Sequence, residues 1–313
     1  MTNDRRSAVK KLKTLVYTPK SETESFRRRI EDSFTNVFLP NHVEKTEIDA
    51  EGIVSDMLTP QVYATDRIIL YIHGGSFVGG SRASWRNFCA SLANTSNTRV
   101  VVPEFRLAPK YAYPAALDDA KKVLKYLYQD GVQITIAADG SGASIALALV
   151  FCLKGEARKK IDNIVLLSPW LNLSGSASIL HMKKCRDEIL SPEAVRHCSN
   201  MYTYESNQVN PLVSPLCAQP QMFEDFPEVY IQMGEKEALK EDAEKFCALL
   251  KEADVPHILD VWPDMMFMFQ MADEYIKEAH LAVIKLGKYV QDFKQRKRKE
   301  SEEQDIQDNQ ESI

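Results

Sequence analysis

The chain has 313 residues, of which 44% are hydrophobic and 27% are charged, and its formal net charge is -5. This composition is typical of a globular protein with a sizeable core, and it predicts one large α/β domain. The acidic balance argues against nucleic-acid binding, which needs a basic face to displace counterions from phosphates. The charged start MTNDRRSAVKKLK, with no apolar run of about 18 residues anywhere, predicts a cytoplasmic protein without an integral membrane segment.

The cysteines predict neither a zinc site nor a disulfide framework, because they are scattered and lack C-x-x-C spacing. Several lie in apolar helical patterns and are expected to be buried thiols. We predict no metal and no cofactor. The six residues are Cys89, Cys152, Cys185, Cys198, Cys217 and Cys247.

The first 42 residues are predicted to form polar cap helices that precede the core rather than belong to it. The stretch SETESFRRRIEDSF (21–34) opens on capping residues and continues with a helical pattern. A hairpin is predicted next, from VEKTEID (43–49) through Gly52 to IVSDML (53–58).

Apolar runs then alternate with helix-length patterns, which predicts a mostly parallel, doubly wound sheet with helices on both faces. The core is expected to span 43–293, with a cap insertion at about 171–222 above the sheet and a disordered charged tail at 294–313. The predicted strands are 67–72, 99–105, 134–138, 164–170, 228–234 and 257–262, and the helices 82–95, 115–129, 142–154, 238–253 and 270–295.

Three segments carry distinctive motifs, namely HGGSFVGGS (73–81), EFRLAPKYAYPAALDDA (104–120) and ITIAADGSGASIAL (134–147). In this order and spacing they resemble the hormone-sensitive-lipase-like branch of the α/β-hydrolases, which includes carboxylesterases and acetylhydrolases. That branch has an H-G-G-G oxyanion motif, a Y-R-L-A-P-E-x-x-x-P-A segment and a G-D-S-A-G-G nucleophile elbow. Weaker matches at 168–174, 210–216 and 229–269 extend the resemblance over about 43–290.

The resemblance implies an α/β-hydrolase fold whose helical cap is built from the N-terminal helices and the insertion at 171–222. It also implies hydrolysis of esters of short or medium acyl chains, and hence a small apolar or ester-like ligand. Arg106 and Asp139 match the family pattern, and we interpret both as structural rather than catalytic.

The family's mechanism needs a serine nucleophile, a histidine base and an acidic residue that orients the histidine. Aligned on the elbow, ADGSGA (138–143) has Gly140 at the nucleophile position. Aligned on G-x-x-D-P-L-x-D, GEKEALKE (234–241) has Glu237 at the acid position. Aligned on G-x-x-H-x-F, DMMFMF (264–269) has Phe267 at the histidine position. Only the carboxylate of the three catalytic groups is present.

The oxyanion motif is also altered, since His73, Gly74 and Gly75 match the family but Ser76 replaces the third glycine. The added side chain is expected to disturb oxyanion binding, which relies on close backbone approach. Met266 and Phe267 lie in an apolar run that either plugs the old site as extra core or lines a pocket that binds without turnover.

Ser141 is the fallback nucleophile, one residue beyond the position that presents the attacking group. In the family this residue contributes its backbone N–H to the oxyanion hole instead. None of the six histidines occupies the loop after VWPD (261–264), although the two in the cap insertion could fold over the site. They are His42, His73, His181, His197, His257 and His280, of which His181 and His197 belong to the insertion.

Three functions remain open from the sequence. The leading hypothesis is a catalytically degenerate hydrolase that acts as a ligand-binding or regulatory module. The second is an active carboxylesterase or acetylhydrolase that uses Ser141 with Glu237 or a displaced histidine. The third is an interaction scaffold with a collapsed pocket. Basic residues near both termini are interpreted as solvated helix faces rather than a partner surface, and a homodimer is allowed.

Overall fold

The computed structural model describes residues 3–35, 39–129, 131–174 and 187–293. Within these ranges, eight strands form one sheet in the order β1-β2-β4-β3-β5-β6-β7-β8. The strands are β1 (Val43–Ala50), β2 (Ile53–Pro60), β3 (Arg67–Ile72), β4 (Arg99–Pro103), β5 (Gln133–Asp139), β6 (Ile161–Leu167), β7 (Glu228–Gly234) and β8 (His257–Trp262). The predicted tail at 294–313, together with Cys185 and His181, lies outside the described residues.

The sheet is mostly parallel, as predicted. Strands β3 to β8 pair in parallel, whereas β1 pairs with β2 and β2 pairs with β4 in antiparallel fashion. The β1-β2 hairpin is confirmed, and it turns at Glu51 and Gly52, whose φ angles are 54° and 85°. The Gly52 amide donates to the Asp49 carboxylate over 2.6 Å, which closes the turn.

The helices connect the strands as the alternating pattern predicts, and the carboxyl ends of the parallel strands carry the site. The helices are α1 (Asn3–Leu12), α2 (Thr23–Phe34), α3 (Arg82–Ser96), α4 (Ala115–Tyr128), α5 (Gly142–Phe151), α6 (Glu156–Lys159), α7 (Pro192–Tyr202), α8 (Lys240–Glu252) and α9 (277–293). No helix of the described ranges is long and apolar enough to cross a membrane.

Most predicted elements differ from the structure by at most three residues at their ends, as at 99–105 and 142–154, and three differences have a clear cause. The strand predicted at 164–170 ends at Leu167, because Ser168 has a left-handed φ of 45° and a proline follows it. The helix predicted at 270–295 begins only at 277, since a 3-10 turn at Phe269–Ala272 precedes it. The run at 257–262 is only partly buried, because β8 lies at the sheet edge.

The N-terminal helices, which were expected to precede the core rather than belong to it, contribute apolar side chains to it. Leu12 of α1 and Phe26 and Ile30 of α2 are fully buried and belong to the same hydrophobic cluster as the sheet. Both α2 side chains lie so close to Gly79 that a Cβ there would approach the Phe26 ring to 2.6 Å. The sequence shows little sign of this packing, because the two buried residues of α2, one helical turn apart, lie in a segment that is otherwise mostly polar.

Candidate active site

The turn between β5 and α5 is built around Gly140, whose φ of +46° lies in the left-handed region that favours glycine. Its amide donates to the Leu167 carbonyl and its carbonyl accepts from the Trp170 amide, each over 2.9 Å. A Cβ at Gly140 would lie 3.5 Å from Cζ of Phe267, an ordinary van der Waals contact. The structure therefore brings the predicted nucleophile and base positions together, with a glycine and a phenyl ring facing each other.

Phe267 lies in the loop that follows β8, and only 3% of it is exposed. Met266 and Met268 on either side are also buried, and Met268 has a left-handed φ of 55°. The loop is fixed to the turn after β7, because the Lys236 amide donates to the Met265 carbonyl over 3.0 Å. The residue aligned with the family's histidine is thus a buried phenylalanine between two buried methionines.

Glu237 lies in the turn after β7, where its side chain is completely surrounded by protein. Its Oε1 accepts from the Ser168 hydroxyl over 2.8 Å and from the Gly234 amide over 2.5 Å. The Ser168 hydroxyl in turn accepts from the Met268 amide over 3.1 Å. Ser168 thus links the acid position to the residue after Phe267.

The second carboxyl oxygen of Glu237 is buried and has no hydrogen-bond partner in the described part of the chain. Burial raises the pKa of Glu237 well above its ordinary value, and the nearby Asp187 carboxylate raises this pKa further. The two hydrogen bonds to Oε1 act in the opposite direction but do not outweigh the burial. Burial therefore favours the protonated form of Glu237, and its second oxygen has no partner among the described residues.

Ser141 is the N-cap residue immediately before α5, and its backbone angles are helical, φ -68° and ψ -24°. Its buried hydroxyl oxygen accepts a hydrogen bond from the Phe77 amide over 3.0 Å. No imidazole in residues 3–35, 39–129, 131–174 or 187–293 lies within hydrogen-bond distance of this hydroxyl. Ser141 is thus engaged with the glycine-rich loop rather than paired with a base.

The described histidines lie elsewhere in the fold. The ring of His73 stacks between Trp85 and Phe105, with centroid distances of 5.0 and 4.2 Å. Burial lowers the pKa of His73 to about 4, so its imidazole is neutral at pH 7. His197 on α7 stacks on Tyr17 at 5.0 Å. The remaining three lie before β1, at the start of β8 and on α9, namely His42, His257 and His280.

The glycine-rich loop keeps the close backbone approach that its first two glycines imply. A Cβ at Gly74 would lie 2.3 Å from an Asp139 carboxyl oxygen, and one at Gly75 would lie 2.2 Å from the Gly79 carbonyl oxygen. Ser76 also has a left-handed φ, 60°. Its hydroxyl is bonded to the N-terminal segment, since it donates to the Leu15 carbonyl over 3.1 Å.

Asp139 forms the polar support beneath this turn, in line with its interpretation as structural. Its Oδ1 accepts from the Tyr71 hydroxyl, the Gly74 amide and the Trp85 indole over 2.9, 3.0 and 2.7 Å. Burial raises the pKa of Asp139 to about 7, although all three donors favour the charged form. Arg106 also matches its interpretation, with hydrogen bonds from Nε and Nη2 to both carboxylate oxygens of Asp119.

Comparison with known proteins agrees with this architecture. A sequence model of the α/β-hydrolase fold matches residues 69–271, well over half of the chain. The chain belongs to the α/β-hydrolase family, and within it to the hormone-sensitive-lipase-like branch. The resemblance inferred from the three motifs is therefore confirmed.

Several relatives of this α/β-hydrolase are named as hydrolytic enzymes. An esterase of Acinetobacter venetianus is 30% identical over 84% of this chain and 87% of its own length. An acetyl-hydrolase of Streptomyces hygroscopicus is 26% identical over 72% of this chain and 75% of its own. Among solved structures, an esterase from the bacterial hormone-sensitive lipase family has a TM-score of 0.83 at 24% identity, covering 93% of this chain and 98% of that one.

Two side chains at this hydrolase-fold site could not be identified as site residues from the sequence. Ser168 links Glu237 to the loop that follows β8. It lies in SPWLNLS (168–174), a segment that matches the family weakly and for which the sequence indicates no role. Tyr202 at the end of α7 stacks on Phe77 at 4.0 Å with an interplanar angle of 12°. Only the fold brings Tyr202 to the glycine-rich loop, because the two rings are far apart in the chain.

Proposed function

We propose that this protein is a non-hydrolytic member of its family that acts as a ligand-binding or regulatory module. The observation that carries the proposal is the contact between the Gly140 position and the Phe267 ring. A Cβ added at Gly140 would lie 3.5 Å from Cζ of Phe267. A hydrolase needs a hydroxyl and an imidazole at this contact, because the base must remove the proton of the attacking group. Loss of the nucleophile alone costs on the order of 10⁶ in kcat.

The ligand that fits the proposal is small and apolar or ester-like. Phe267 and Met266 offer a deformable apolar surface beside the turn, and the aromatic rings of Phe77, Trp170 and Tyr202 lie close to one another nearby. Such residues favour binding of apolar groups over proton transfer.

The alternative is an active esterase that uses Ser141, and the names of the relatives, an esterase and an acetyl-hydrolase, favour it. The environment of Ser141 does not support this role, since its hydroxyl oxygen accepts from the Phe77 amide and has no imidazole beside it in the described ranges. A serine without a base is a weak nucleophile. The alternative therefore needs Glu237 or a displaced histidine to reach Ser141 when substrate binds.

Hydrolysis of p-nitrophenyl acetate and butyrate distinguishes the two functions. We expect the wild-type protein and Ser141→Ala to release p-nitrophenol at the same rate, close to that of buffer. Turnover well above buffer that disappears in Ser141→Ala would overturn the proposal and establish the esterase.

Reconstruction of the missing groups tests the assignment of the positions. The double variant Gly140→Ser/Phe267→His places a hydroxyl beside an imidazole. We expect the second oxygen of Glu237, which has no partner among the described residues, to accept from this imidazole. We expect the double variant to exceed both single variants in p-nitrophenyl butyrate hydrolysis by about tenfold or more. Equal rates in a folded double variant, checked by circular dichroism, would contradict the assignment.

Ligand binding is tested with p-nitrobutyranilide, an amide analogue of the ester that resists hydrolysis. We expect calorimetric binding by the wild-type protein and its loss in Phe267→Trp, which overfills the site. Tyr275→Trp, on an exposed aromatic residue of the same loop region, is the matched control and is expected to keep binding. Absence of binding by the wild-type protein would favour an interaction scaffold over a ligand-binding module.

A further inference from the structure

The N-terminal segment contacts the loop that carries Phe267. On α1, Arg5 donates to the Asp264 carbonyl over 3.0 Å, and the Lys11 ammonium group lies 2.6 Å from the Glu274 carboxylate. Lys11 is well shielded from solvent and also lies over the Phe34 ring at 4.7 Å. Both ends of the loop at 263–276 are therefore attached to one helix.

The same segment is attached to the glycine-rich loop through Ser76, the residue that replaces the third glycine. The Ser76 hydroxyl donates to the Leu15 carbonyl and accepts from the Tyr17 amide, each over 3.1 Å. A glycine at this position could make neither bond. The substitution thus adds a two-way hydrogen bond between the glycine-rich loop and the chain just after α1.

The third attachment of the segment is to helix α7 of the cap insertion. The Cys198 thiol donates to the Tyr17 carbonyl over 3.3 Å, and the Tyr17 ring stacks on His197 at 5.0 Å with an interplanar angle of 25°. Tyr17 therefore lies between the glycine-rich loop and α7.

These attachments are joined by a stiff body rather than by flexible chain. Helix α1 runs from Asn3 to Leu12 and continues directly into a 3-10 turn at Lys13–Leu15. Its apolar face, which includes Ala8 and Leu12, is buried in the core cluster. A displacement at either end is transmitted along a packed helix, because its backbone hydrogen bonds resist bending.

We propose that residues 5–17 form a clamp that couples opening of the loop at 263–276 to opening of the glycine-rich loop at 73–81. Access to the region between Gly140 and Phe267 then requires release of the N-terminal segment from both loops. The clamp operates whether this region binds a ligand or hydrolyses one, so its failure is separate from failure of the proposed function.

Hydrogen exchange measured by mass spectrometry on the full chain tests the coupling. Ser76→Gly removes both hydrogen bonds, and glycine fits the left-handed φ of 60°. We expect amides of residues 13–20 and, together with them, amides of residues 264–276 to exchange about fivefold faster or more. Faster exchange confined to residues 13–20 would reduce Ser76 to a local contact and overturn the clamp.

The reverse experiment weakens the attachment of α1 to the loop at 263–276 and measures hydrogen exchange in the glycine-rich loop. Arg5→Ala/Lys11→Ala releases the loop at 263–276, and we expect faster exchange in the glycine-rich loop, which neither side chain contacts in the described bonds. The matched control is Lys10→Ala/Lys13→Ala, whose side chains are exposed on the same segment and should leave exchange unchanged. Equal effects of the two double variants, or an unchanged glycine-rich loop, would contradict the proposal. A melting curve for each variant excludes global unfolding as the cause.

Discussion

Two neighbouring residues at the turn after β5 meet very different surroundings. The Asp139 carboxyl group accepts three buried hydrogen bonds, whereas Gly140 faces a phenyl ring across an ordinary van der Waals contact. The first residue matches the family pattern and the second departs from it. Because Asp139 satisfies donors that the fold itself buries, its loss would destabilise the protein, while a missing side chain at Gly140 leaves nothing unpaired.

The largest effect in this comparison is expected from Asp139→Ala. The substitution leaves the Tyr71 hydroxyl, the Gly74 amide and the Trp85 indole without their acceptor. Because these donors are buried, we expect the free energy of unfolding to fall by about 3 kcal/mol or more in urea titrations. The control Asp118→Ala, at an exposed residue of α4, should cost no more than about 0.5 kcal/mol. Similar losses in both variants would refute the structural role of Asp139.

A pH-dependent effect is expected from Glu237→Gln. The pKa of Glu237 is raised in the folded protein, so its stabilising contribution is complete below its ordinary value of 4.5 and is lost as the pH rises towards the raised value. Glutamine carries no proton to lose. The free energy of unfolding of Glu237→Gln minus that of the wild type should therefore increase with pH, by up to about 1.4 kcal/mol per pH unit.

Urea titrations at pH 5 and pH 8 measure this difference. The control is Glu244→Gln, at an exposed residue of α8 that pairs with Lys240. Its difference from the wild type should change little with pH, because an exposed ion pair contributes little to stability. A pH-independent difference for Glu237→Gln would show that the carboxyl group is not held neutral by its burial.

The smallest effect is expected from Gly140→Ala. The added methyl group has room beside Phe267, so the main cost is the left-handed backbone, about 1–2 kcal/mol. At Gly74, by contrast, the methyl group would lie 2.3 Å from an Asp139 oxygen, and Gly74→Ala should cost clearly more. Melting temperatures of the two variants make the comparison, and the reverse order would mean that the space beside Phe267 is occupied.

The sequence predicted the parts of this molecule that depend on local pattern. The strands, the hairpin turn at Gly52, and the positions of Gly140, Glu237 and Phe267 all follow from apolar periodicity or from motifs with fixed spacing. The end of β6 was misjudged, because the apolar run outweighed the strand-ending signal of the proline that follows Ser168, and the left-handed backbone of Ser168 is not visible in its residue type.

The contacts between distant segments could not be predicted in the same way. The bonds from Ser76 to Leu15 and Tyr17 join residues that only the fold brings together, and the sequence alone suggested only that the Ser76 side chain disturbs oxyanion binding. Similarly, Arg5 and Lys11 were interpreted as a solvated face, whereas the structure pairs both with the loop after β8. Polar side chains with several possible partners carry little positional information in one sequence.

The hydrogen bond from the Trp85 indole to Asp139 makes Trp85 an intrinsic fluorescent reporter of the Asp139 carboxyl group. Of the three tryptophans, Trp85 donates to a carboxyl group with a pKa of about 7, whereas Trp262 donates to Asp260, whose pKa is lowered by the Lys285 ammonium group despite partial burial. Trp170 has no partner for its indole nitrogen among the described residues. We therefore expect a change in fluorescence emission near neutral pH to originate at Trp85 and to report the charge on Asp139 without any attached dye.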